Sequence, residues 1–252
     1  MQRARKLLKA CNTLSSPPIS SISHILGIIT LILAAGCIFN NIYGFYTHNI
    51  ERICSITNLS SMSRVIMLLT IRSIYTGFFE DKRQGTKNSL RALTVHLPIS
   101  KQEFILAQFL GNVYVYLPAF VLASCLIIFN ALKGMSIQYT FLLGVIVACF
   151  SATYILLSLE KGLCTYYYIN PRIREIIYIS LTFTWIGIGY YVEVGNGNLL
   201  WRAVYQNKQI FGVRGISWFG GLGGFLCLGL AFIGGYILSV KLPLYIERRG
   251  HS

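Results

Sequence analysis

The sequence predicts an all-α membrane protein with six transmembrane helices. Two observations carry this. The first is composition: of 252 residues, 54% are hydrophobic and only 12% charged, against about 25% charged in an ordinary soluble domain. The second is distribution: the 22 Lys and Arg, against 8 Asp and Glu, sit mainly between long apolar runs and sort to alternate sides of them, the pattern of the positive-inside rule. Mean hydropathy is +0.60. A soluble enzyme, a disordered chain and a disulfide-stapled secreted module are all poor fits. The net charge of +14 would suggest nucleic acid in a soluble domain. Here no basic stripe is interleaved with a stacking platform, so no nucleic-acid partner is expected.

The first element is residues 1–16. Ala4, Leu7, Leu8, Cys11 and Leu14 share one helical face and Arg5, Lys6 and Lys9 the opposite one, which describes an interfacial helix on the inner membrane surface. A frayed basic tail is the alternative. Ser15, Ser16, Pro17 and Pro18 end the segment, because proline removes backbone donors and restricts its predecessor.

A helix crossing about 30 Å of hydrocarbon needs about 20 apolar residues. Charge-free runs at 25–46, 104–132, 134–159, 176–192 and 215–240 meet or approach that length. The first run continues past Cys37 through Ile38 and Phe39, longer than the apolar part of a cleavable signal. A sixth run, 53–79, contains Arg64 and Arg72, and a central arginine costs about 2.5–3.5 kcal/mol on insertion scales. Loop charge decides for it. With six spans and both termini inside, fifteen Lys and Arg lie on inner segments and five on outer ones; with five spans the split is fourteen to eight. Arg64 then sits near the outer interface, and Arg72 snorkels or faces a protein cavity.

Pro118 predicts a kink in the third span. Gly220, Gly224, Ala231 and Gly235 form a small-residue stripe on the last span, which permits close helix approach. Between the fifth and sixth spans, 194–214 carries a Gly195-Asn196-Gly197 turn and then Leu199, Leu200, Trp201, Val204 and Tyr205 at helical spacing. This fits an outer re-entrant segment, or an amphipathic external loop, anchored by Trp201 and Tyr205. The whole chain, 1–252, reads as a single transmembrane domain.

The inner loop between spans two and three has more structure than a tether needs. Residues 86–95 can form a short helix bearing Leu90 and Leu93, Pro98 breaks the chain, and Ser100 with Glu103 forms a capping box that starts the third span. The stretch LRALTVHLPISKQEFILAQF, residues 90–109, resembles the ABC-2-type permease subunits of ATP-binding-cassette exporters, in their compact bacterial peptide- and antibiotic-exporting form. Leu93, Leu97, Pro98, Ile99, Ser100, Lys101 and Glu103 carry the likeness; Gln108 stands where the family often has a basic residue. The resemblance implies that 86–100 is a cytoplasmic coupling helix region, with Leu90, Leu93, Leu97, Pro98, Ser100 and Glu103 binding a nucleotide-binding subunit. It also implies a second permease chain as homodimer or heterodimer partner, and a place in the bacterial cytoplasmic membrane, surrounded by lipid.

No GxxxxGK[ST] phosphate-binding loop is present, so this chain is expected to hold no cofactor and to be no enzyme, ATP and Mg being bound by the partner subunit. His24, His48, His96 and His251 are dispersed, and the seven cysteines form no CxxC pair; no metal site is expected. Glu160 and Lys161 read as a snorkelling pair at a span end. Tyr114, Tyr116, Tyr190 and Tyr191 are the candidate substrate path, tyrosine offering an apolar body with one polar tip. An amphipathic peptide, toxin or antibiotic suits such a wall. A hydrophobic drug or lipid, or an ATPase-independent carrier or scaffold, is the alternative.

Overall fold

The computed structural model describes residues 17–47, 62–71, 101–133, 137–164, 171–194 and 212–245. The interfacial helix of 1–16, the coupling region of 86–100 and most of the outer segment 194–214 lie outside them. Among the described residues all regular structure is helical. The helices are α1 (Pro17–Tyr46), α2 (Met62–Ile71), α3 (Lys101–Lys133), α4 (Ile137–Cys164), α5 (Pro171–Val194) and α6 (Gly212–Tyr245). Four of them, α1, α3, α4 and α6, are long and apolar enough to cross a membrane. Shorter apolar stretches occupy α2 and residues Ile176–Ile188 of α5. The chain is thus an all-α membrane protein, and every apolar run read from the sequence contains a helix.

The helix starts follow local chemistry. Pro17 opens α1 at the first helical position, where its missing N–H costs nothing. Among the described residues α3 begins at Lys101, with Glu103 in its first turn. α3 then runs unbroken through Pro118, whose ring leaves the Tyr114 carbonyl without its helical donor. Gly212 turns the chain into α6 at φ +68°, a backbone region that favours glycine. The last three residues of the 194–214 segment therefore belong to α6.

α4 is the most enclosed of the long helices. Tyr139, Leu143, Ile146, Val147, Phe150, Tyr154 and Leu157 on it are buried in the main core, together with residues of all five other helices. α2 is buried to a similar depth: Met62, Ser63, Val65, Ile66, Leu69 and Thr70 are covered, while Arg64 is exposed. The Thr70 hydroxyl donates to the Ile66 carbonyl at 2.9 Å, closing its polar group within its own helix. α1 and α6 present the opposite picture. Ile28, Ile32 and Phe39 on α1, and Leu222, Leu230 and Ile233 on α6, are exposed, an apolar surface suited to lipid.

α6 contains two π-helical turns, Phe219–Gly223 and Ile237–Lys241. Each has a sequence cause. The first is built from a glycine cluster, which resists backbone widening least. The second precedes Pro243, whose ring presses on the carbonyl four residues back, that of Ser239. Both serve the same end. Residues at four-residue steps drift around an ideal helix, and each wider turn takes back part of that drift. Gly220, Gly224, Ala231, Gly235 and Ser239 therefore stay buried along one face of a 34-residue helix.

Candidate functional site

The small-residue face of α6 meets α4. A side chain at Gly220 would strike the Thr140 carbonyl, one at Gly162 the Leu238 carbonyl, one at Gly144 the Phe219 ring, and one at Gly235 the Tyr154 ring. The stripe read from the sequence is a packing seam, and α4 supplies glycines of its own to it. Polar ties cross the bundle at several levels. At one end Thr140 Oγ1 donates to Asn130 Oδ1 at 2.9 Å, and Asn130 Nδ2 donates to the Gly220 carbonyl at 3.4 Å. That carbonyl lies in the first π turn, where the regular hydrogen-bond ladder is interrupted. Towards the other end Asn112 Nδ2 donates to Ser158 Oγ at 3.3 Å, and Ser239 Oγ donates to the Gly235 carbonyl. On the remaining side of α4, Trp185 Nε1 of α5 donates to Thr153 Oγ1 at 3.1 Å, while Thr153 donates to the Cys149 carbonyl at 2.8 Å.

Three of the four candidate path tyrosines have described side chains, and their surroundings differ. Tyr116 is fully buried and stacks edge-on against Tyr154, ring centroids 5.6 Å apart. Phe120 joins the same aromatic cluster at 5.1 Å from Tyr154. Tyr114, two residues from Tyr116, is 69% exposed, and Tyr190 on α5 is 67% exposed. The side chain of Tyr191 lies outside the described residues, as do Leu90, Leu93, Leu97, Pro98 and Ser100. Glu103 is half-buried in the first turn of α3.

Two features escaped the sequence. Glu160 is 4% exposed at the end of α4, so it does not snorkel to solvent as its terminal position suggests. α4 is enclosed to its last turns, and the carboxylate is enclosed with it. An acid buried in a membrane bundle is a functional candidate by its cost alone; the sequence signal would have been the buried spacing of Thr153, Leu157 and Glu160. The second feature is a groove of about 500 Å³ between α3 and α6, lined by Val113, Leu117, Phe120, Phe225, Leu228, Gly229, Phe232 and Ile233. The side chains lining it are all apolar, and its volume falls within the range of about 300–1,000 Å³ typical of ligand pockets. Among the described residues no group of His, Cys, Asp or Glu could hold a metal ion, and Cys37, Cys125, Cys149 and Cys227 are free thiols.

No protein family, no curated protein and no solved structure matches this chain.

Proposed function

We propose that the chain is the transmembrane subunit of an ATP-driven ABC exporter of the ABC-2 type, with six spans and both termini on the cytoplasmic side of a bacterial membrane. In this reading α2 and α5 belong to the second and fifth spans, and two permease chains assemble with two nucleotide-binding subunits that carry ATP and Mg. The cargo is an amphipathic peptide, toxin or antibiotic. One observation carries the reading: the Leu97-Pro98-Ile99-Ser100 sequence immediately precedes a 33-residue apolar helix that starts at Lys101 and carries Glu103 in its first turn. A rigid turn fused to a membrane helix transmits a push from a docked partner, and a slack loop does not.

Co-purification with the nucleotide-binding subunit is the test. Leu93→Asp and Leu97→Asp each bring a charge into an apolar contact without a counter-charge, and are expected to lose most of the bound ATPase. Full retention by both variants would count against docking. Amphipathic helical peptides are expected to stimulate ATP hydrolysis by the assembled complex. Stimulation by lipid or glycan with no response to peptide would reassign the cargo.

A further inference from the structure

The groove between α3 and α6 asks for an occupant that the packing seam does not provide. Leu117 and Phe225 on its two walls are 48% and 38% exposed, and Phe232 and Ile233 are exposed beside them. Gly229 forms part of the lining, and a Cβ added there meets nothing within 4 Å. Both walls belong to helices that are long and apolar enough to span a membrane, so the groove opens to hydrocarbon. No side chain in its lining can hydrogen-bond a polar ligand. What fits is an alkyl chain.

The headgroup follows from what lies beyond the groove. Ile233, Ile237 and Lys241 succeed one another at four-residue steps along α6, and all three are exposed. Lys241 therefore stands on the groove's own face, about 12 Å beyond Ile233 at 1.5 Å per residue. The stretch between is walled by aromatic rings: Phe109 meets Phe232 at 6.0 Å and Tyr236 at 5.4 Å, both edge-on. An apolar slot ending in a cation at the helix terminus is complementary to a chain ending in an anion.

We propose that this groove is the seat of an anionic phospholipid of the surrounding bilayer, one acyl chain lying against Leu117, Phe225, Leu228 and Gly229 and its phosphate meeting Lys241. The proposal is independent of what the protein exports. It needs only that α3 and α6 lie in the membrane.

The test uses the full-length protein in lipid vesicles containing spin-labelled phosphatidylglycerol or phosphatidylcholine, reading the fraction of motionally restricted chains. The native protein is expected to favour phosphatidylglycerol. Lys241→Gln should reduce that preference about fivefold, the effect of one lysine near a headgroup, without lowering phosphatidylcholine retention. Gly229→Phe fills open space and should lower restriction of both lipids. Parity in the native protein, an unchanged preference in Lys241→Gln, or unchanged restriction in Gly229→Phe would each overturn the assignment. Loss of self-association in Gly229→Phe with lipid restriction unchanged would give the groove to a second copy of the chain instead.

Discussion

Two glycines of α6, nine residues apart, define the energetics at the finest scale. Gly220 abuts the Thr140 carbonyl, a backbone atom that cannot swing aside, whereas Gly229 faces open space. Gly220→Ala is therefore expected to destabilise the fold by about 1–3 kcal/mol, the usual cost of overpacking. Gly229→Ala should be neutral or stabilising by up to about 1 kcal/mol through helix propensity. Reversible unfolding in mixed detergent micelles would measure both, and equal effects would refute the seam. The same scale shows why the sequence stops short of the candidate site. Tyr114 and Tyr116 are alike in type and both lie in α3, yet one is exposed and the other enclosed. In water a polar neighbour would mark the outward face. In lipid both faces are apolar, because hydrocarbon tails attract a leucine as well as a protein core does. The periodicity that separates inside from outside in soluble helices is therefore absent, and no count of tyrosines recovers it.

At the level of the helix, run length was legible and depth was not. The runs at 25–46, 104–132, 134–159 and 215–240 each lie within or along a long helix, because about 20 consecutive apolar residues satisfy the bilayer irrespective of neighbours. The burial of α2 depends on partners distant in sequence and leaves no local mark. The π turns of α6 yield a sharper expectation. Such a turn behaves as one residue inserted into a regular helix, so removing one residue there restores α geometry and keeps both flanking faces in phase. Leu222 lies in the first π turn and Leu230 in the regular segment Gly224–Tyr236, and both are exposed leucines. Deleting Leu222 is expected to preserve folding and yield. Deleting Leu230 turns the remainder of the helix by about 100°, moving Ala231 and Gly235 off the seam, and is expected to abolish the folded form on size-exclusion chromatography. Survival of both deletions would mean that the seam does not hold the helix.

For the molecule as a whole, the proposed six-span topology would put Cys54 on the outer side and Cys11 on the inner. Cys54 is expected to react with a membrane-impermeant maleimide in intact cells and Cys11 only after the cells are opened; labelling of Cys11 from outside would invert the topology. The small-residue seam of α4 and α6, read on one helix from sequence, is completed by Gly144 and Gly162 on the other. The depth at which α2 is enclosed has a consequence for how the chain is made. Met62–Ile71 leaves the ribosome well before Ile137, the first residue of α4, which supplies much of the core that α2 shares. During that interval the part of the shared core that α4 supplies is missing. A nascent chain halted ahead of α4 would display this unfinished surface, and membrane quality control would recognise it as incomplete.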